Sequence, residues 1–229
     1  MADNRQLLDQ LKSYHMPPEA VKLLSDSKPL MIAGVTSAGK NSVAAYLAQS
    51  SNYKHVVSHT TRPPRSTEEN GKNYWFVSNG EMMRLLESGQ MIEANAVHGE
   101  TIYGTSISAY RSVVNSGHKP LLVIDVQGVD QITLYVPDLS AVFLLPPSFE
   151  IWMERLDKRG MMSHVERERR LKSARIEIEH VLRSQHFVLY VNREVNTVAQ
   201  AIQKGVIIHA EQHHNRELAL RLIDHIKAY

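Results

Sequence analysis

The residues best suited to chemistry form the run Gly34-Val35-Thr36-Ser37-Ala38-Gly39-Lys40-Asn41-Ser42. It carries the Gly-x-x-x-x-Gly-Lys spacing of a phosphate-binding loop. Gly34 and Gly39 let the backbone wrap closely, so that N–H groups along Thr36, Ser37 and Ala38 can point at phosphate oxygens. A helix starting after the loop adds the positive end of its dipole. Lys40 can reach outer phosphates and follow negative charge as it moves in a transfer reaction. Asn41 stands where a Ser or Thr hydroxyl commonly meets Mg2+. Ser42 can take that role, or the metal is held through phosphates and water alone. The setting suits the loop: an apolar strand precedes it over Leu30–Ala33 and a helix follows over Ser42–Gln49.

A second cluster lies downstream, Ser58-His59-Thr60-Thr61-Arg62-Pro63-Pro64-Arg65, followed by Glu68-Glu69-Asn70-Gly71-Lys72-Asn73-Tyr74-Trp75-Phe76. Arg62 and Arg65, stiffened by Pro63 and Pro64, form a cationic fork suited to a phosphate. Tyr74 can add a hydroxyl donor. Taken alone, the pattern also describes surface arginines near a turn.

Further runs follow in order: Ile92-Glu93, Tyr103-Gly104-Thr105, Ile124-Asp125-Val126-Gln127-Gly128, Pro146-Pro147-Ser148, Arg159-Gly160, Arg170-Leu171 and Val191-Asn192. Together with the two clusters they make the stretch from Leu30 to Ile202 resemble the guanylate kinase family. The resemblance implies phosphoryl transfer from ATP to GMP, with Mg2+ accompanying the ATP. It implies that Arg62, Arg65, Tyr74 and Tyr103 bind the GMP phosphate and that Glu93 accepts from guanine N1–H and the 2-amino group. Ser58, Thr105 and Asp125 would make the remaining guanine contacts, although Asp125 also suits a turn-forming role. Arg155, Arg159 and Arg170 fall where the family's lid closes over ATP, and Asn192 falls near the adenine. Lys40, Arg62, Arg159 and Arg170 would then carry catalysis. The chain departs from the family at Asn41, at Val123 and Arg193 in place of common acidic residues, and in a loop before Tyr103 that is one residue longer.

These residues need a scaffold. Apolar runs at Leu30–Ala33, Leu121–Val126, Ala141–Leu145 and Phe187–Val191 alternate with helical stretches such as Glu150–Lys158 and His164–Gln185. That order predicts an α/β fold: a P-loop parallel sheet with helices on both faces. Between Ser58 and Tyr110 the rhythm breaks into short strands (Tyr74–Val77, Ile92–Val97) and a helix over Gly80–Ser88. This region is expected to be an inserted mixed α+β lobe, which the resemblance implies is the monophosphate-binding lobe. The expected organisation is an N-terminal helical extension over 1–28, a main domain over 29–205 with the lobe at 58–110 and a helical lid at 151–170, and a C-terminal helical extension over 206–229.

Composition narrows the partners. The 26 basic and 24 acidic residues nearly cancel, so no general field draws nucleic acid. The apolar runs are far short of a membrane span, and the absence of cysteine excludes disulfides and thiolate metal sites. The expectation is a cytoplasmic enzyme acting on small molecules. His213 and His214 are adjacent, so they point to different helix faces and read as solvated; Arg167 and Arg169 read likewise. Two rival readings meet counter-evidence in the sequence. A non-catalytic scaffold for a phosphorylated peptide typically loses the loop lysine and lid arginines, whereas Lys40, Arg159 and Arg170 are present. A related kinase for a sugar bisphosphate fits poorly with Glu93 and Tyr74.

Overall fold

The computed structural model describes residues 4–97, 101–158, 163–205 and 209–229. In chain order the first elements are α1 (Asn4–Ser13), α2 (Pro18–Ser27), β1 (Leu30–Gly34), α3 (Lys40–Ser50), β2 (Tyr53–His55), β3 (His59–Thr60), β4 (Trp75–Phe76) and α4 (Asn79–Glu87). Next come β5 (Met91–Val97), β6 (Thr101–Ser106), α5 (Ile107–Asn115), β7 (Lys119–Val123), α6 (Val126–Tyr135) and β8 (Ala141–Leu145). The chain ends with α7 (Phe149–Asp157), α8 (His164–Arg183), β9 (Phe187–Val191), α9 (Val195–Gln203) and α10 (His209–Ala228). Two compact units result. One comprises Met1–Pro29, Lys54–Leu122 and Asp130–Leu139; the other comprises Leu30–Tyr53, Val123–Val129 and Ser140–Tyr229.

In the second unit, β1, β8 and β9 are near-continuous apolar runs because both faces of a parallel sheet are covered. β1 runs parallel to β8 with Met31 opposite Ala141, and β8 runs parallel to β9 with Ala141 opposite Phe187. Within this unit the strands lie in the order β1-β8-β9. Gly34 ends β1 at φ +149°, where an added Cβ would stand 2.6 Å from Leu144 O. Only glycine lets the chain leave the sheet there. α3 packs on α9, and α10 on α8 and β9. The Gln212 side chain accepts from Leu189 N–H and donates to Leu189 O, both at 2.9 Å, so α10 seals the edge of β9.

The first unit carries a mixed sheet of order β4-β3-β6-β5. β3 and β4 are parallel, while β6 is antiparallel to both β3 and β5. Ser78 and Glu81 start α4 with a reciprocal capping box, and Ser106 caps α5 through Ala109 N–H. Leu7 of α1 joins Met82, Leu86, Met91, Ala94 and Ile102 in one buried cluster. α2 begins with Pro18 in its first turn and ends at Lys28 in a left-handed conformation.

The α/β class with a parallel sheet and a second mixed sheet agrees with the sequence expectation. One strand differs. The run expected over Leu121–Val126 starts at Lys119 and stops at Val123, because Val126 already belongs to α6. Asp125 causes this early stop: its Oδ1 accepts from Gly128 N–H at 2.7 Å, ending the strand and starting the helix. Among the described residues no helix is long and apolar enough to cross a membrane.

Candidate active site

The phosphate loop lies in the second unit. Ser37 has φ +60° and Gly39 φ +95°, so successive N–H groups turn inward instead of continuing a strand. A Cβ on Gly39 would stand 2.3 Å from Asn192 Nδ2. Asn192 Nδ2 donates to Ala38 O at 2.7 Å, and Arg155 on α7 donates to Asn192 O at 3.0 Å. Trp152 Nε1 donates to Thr36 O at 2.8 Å. Asn192 and Trp152 thus brace the loop from behind, and sequence reasoning had no signal for Trp152 in that role. Ser37 Oγ and Asn192 Oδ1 are buried without a hydrogen-bond partner among the described residues. Polar atoms in that state suit a site built to receive a ligand.

Lys40 opens α3 and turns its ammonium back on the loop, donating to Gly34 O at 2.5 Å and Val35 O at 3.3 Å. Asn41 and Ser42 are exposed in the first turn of the same helix. Among the described residues no group of three His, Cys, Asp or Glu side chains could hold a metal. The Ser42 hydroxyl is an oxygen donor of the kind a hard cation takes.

Glu177, on α8, was not singled out from the sequence. Burial pushes its carboxyl from an ordinary 4.5 up to about 7; the Lys40 ammonium opposes that rise and the Asp125 carboxylate adds to it. Between those pH values the folded chain holds more protons than the unfolded one, so this group lowers stability as pH climbs from 4.5 to about 7. Above that range its effect is constant. Replacing Glu177 with glutamine removes the slope. Urea midpoints of parent and variant should therefore diverge in the variant's favour across this interval; a difference that stays constant with pH rules the placement out.

Of the expected lid arginines, Arg155 sits against Asn192 as described. Arg170 donates from Nε to Glu166 Oε1 at 2.7 Å, one turn away on α8. Arg159 lies outside the described residues. Arg167 pairs with Asp157 and Arg169 with Glu166, as side chains on the helix surface.

The other expected residues, apart from Asp125, lie in the first unit. Arg62 donates to both oxygens of Glu68 at 2.6 and 2.7 Å, to Pro63 O at 2.9 Å and to Tyr103 Oη at 3.0 Å. Its guanidinium stands over the Tyr74 and Phe76 rings at 5.1 and 5.5 Å. The Arg62 and Glu68 side chains are only 15% and 13% exposed. The pair is therefore screened less than a surface ion pair, and Arg62 holds the Glu68 carboxyl down at about 2. Arg65 is exposed beside them, its N–H bonded to Glu68 at 2.9 Å. Tyr74 and Tyr103 meet edge to face at 5.6 Å. The structure thus brings Arg62, Tyr74 and Tyr103 together and adds Glu68, whose pairing the sequence alone did not reveal.

Glu93, on β5, is 4% exposed. Its Oε1 accepts from Thr105 Oγ1 at 2.7 Å and its Oε2 from Asn95 Nδ2 at 3.4 Å. Ser58 is buried in the same unit, just before β3. Asp125 belongs to the other unit and caps α6, so its turn-forming role is realised.

Comparison with known proteins identifies the family. The guanylate kinase family model matches residues 26–209. A guanylate kinase of Nitrosomonas europaea is 38% identical over 183 residues, covering 80% of this chain and 89% of its own length. One from Methylobacillus flagellatus is 41% identical over 152 residues, covering 66% of this chain and 75% of its own. The crystal structure of guanylate kinase from Anaplasma phagocytophilum aligns with TM-score 0.60 at 31% identity, over 80% of this chain and 86% of that one. With the family model spanning most of the sequence and relatives this similar along it, the chain belongs to the guanylate kinase family.

Proposed function

We propose that the chain transfers the γ-phosphoryl group of ATP to GMP, giving ADP and GDP, with Mg2+ bound through the ATP phosphates, water and Ser42. The observation that carries this reading is Glu93. It is a nearly inaccessible carboxylate set by Thr105, in the same unit as a cationic group prepared for a phosphate. A carboxylate can accept from two adjacent donors at once. Guanine presents such a pair at N1–H and its 2-amino group, and adenine does not.

Each residue takes a defined part in this proposal. Arg62, Arg65, Tyr74 and Tyr103 hold the GMP phosphate, and Glu68 fixes the Arg62 guanidinium in direction before GMP arrives. Ser58, Thr105 and Asp125 complete recognition of the base. The loop from Gly34 to Ser42 holds the ATP phosphates, with Arg155 and Asn192 toward the nucleoside. Mg2+ neutralises phosphate charge when bound. Lys40, Arg62, Arg159 and Arg170 offset the charge that spreads over the transferring group. The partition into terminal extensions, main domain, lobe and lid belongs to the same proposal, as does a cytoplasmic setting, with which a cysteine-free chain agrees. The scaffold alternative is disfavoured, since phosphopeptide binding alone gives no reason to brace a phosphate loop and its lysine.

A coupled assay of ADP release with GMP, dGMP, AMP and UMP tests the assignment. Turnover should be confined to the guanine nucleotides. Equal turnover of AMP would sink the guanine reading, and no turnover with any acceptor would favour the scaffold.

A further inference from the structure

Tyr14 lies ahead of the family-matched stretch 26–209, yet it touches the strand that carries Glu93. Its hydroxyl accepts from Met91 N–H at 3.1 Å and donates to Met91 O at 2.6 Å. β5 is the edge strand of its sheet, so among the described residues no further strand pairs these groups. Gln131 treats Ala94 in the same way: Oε1 accepts from Ala94 N–H at 3.1 Å and Nε2 donates to Ala94 O at 3.2 Å. Glu93 lies between the two clamps.

The spacing of the clamps is informative. In a regular strand the groups facing one edge recur at every second residue, but Met91 and Ala94 are three apart. The extra residue is a bulge. Met91 is opposite Ser106, whereas Glu93 is opposite Thr105, so the register shifts between Met91 and Glu93. Had the first register continued, Glu93 would face Gly104, which offers no side chain. With the bulge it faces Thr105 and receives the 2.7 Å hydrogen bond from its hydroxyl. Bulges commonly re-aim a side chain in this manner.

We propose that Tyr14 is a positioning residue for guanine recognition: it pins both backbone groups of Met91 and so fixes the bulge that aims Glu93. This rests on the reading of Glu93 as the guanine acceptor. Tyr14 acts through Met91, which is 0% exposed and so cannot exchange the tyrosine hydroxyl for water without the strand moving.

The test is Tyr14→Phe, which keeps the ring packed on the cluster around Leu7 and removes only the hydroxyl. The expected result is a GMP KM raised about tenfold, the effect of one lost buried hydrogen-bond pairing. The preference for GMP over IMP, which lacks the 2-amino group, should narrow, while kcat at saturating GMP and the KM for ATP stay at the parent values. Faster amide exchange at Met91 should accompany it and needs no turnover to be read. A variant with a lower melting temperature but unchanged GMP KM and unchanged GMP-to-IMP preference overturns the proposal. Glu93→Gln run alongside separates the two levels. If it collapses the preference while Tyr14→Phe does not, Tyr14 alone is misassigned; if it leaves the preference intact, the guanine reading fails, and with it the role given to Tyr14.

Discussion

Lys40→Ala should lower turnover by roughly a thousandfold at saturating ATP and GMP, the scale of losing a fixed donor aimed at developing charge, while GMP binding stays near the parent value. The argument starts from where the ammonium sits. It is held at Gly34 O and Val35 O, inside the curve of the loop, so that its charge is in place before nucleotide arrives. In phosphoryl transfer little covalent work falls to the protein, and fixed positive charge supplies much of the stabilisation. Alanine removes that charge but leaves the glycines, the Asn192 brace and the Trp152 bond to Thr36 untouched. ADP release measured in a coupled assay gives the turnover, and calorimetry with GMP gives the binding. Loss of GMP binding in a folded variant would show that the donor and acceptor halves had been divided wrongly. A secondary effect should appear at Glu177: without the opposing ammonium, its carboxyl should rise further still.

How much of this was legible in the sequence depends on the range of the interaction. The phosphate loop is local, nine residues whose spacing states their use, and the runs Ala141–Leu145 and Phe187–Val191 coincide with β8 and β9 because strands covered on both faces are apolar throughout. α6 was hidden because Asp125 divides what looks like one apolar run, and its capping bond depends on chain direction rather than composition. β6 and α5 lacked a clean period: Thr101–Ser106 mixes polar and apolar residues, and Ser106 both closes the strand and caps the helix. Long-range partners were the least visible. Glu177 sits in a helix rich in charged residues, so nothing in its neighbours marks it as a carboxylate that burial and Lys40 both act on. Tyr14 and Gln131 meet β5 from positions 77 and 37 residues away. No local pattern encodes such a meeting.

Glu93→Gln should lower kcat/KM for GMP by about a thousandfold, within the range expected when a site built on buried hydrogen bonds loses its match to the substrate. Glutamine keeps the volume, so no cavity opens and the effect reports on hydrogen bonding and charge, not on packing. The carboxylate accepts from Thr105 and Asn95, and as an ionised carboxylate it is an acceptor only, with no hydrogen of its own to donate. The amide has one oxygen and a donating NH2. If the oxygen stays with Thr105, the NH2 meets guanine N1–H or its 2-amino group, and two donors face each other with water excluded. If the amide turns over, the buried Thr105 hydroxyl loses its acceptor instead. Either arrangement leaves a polar group unpaired, which is why the loss should exceed that of a single surface hydrogen bond. The KM for ATP, whose loop lies in the other compact unit, should not move. IMP decides the matter: having N1–H but no 2-amino group, it has less to lose, so the GMP-to-IMP ratio should fall along with the rate. Equal losses for both nucleotides would mean that Glu93 supports the strand without reading the base.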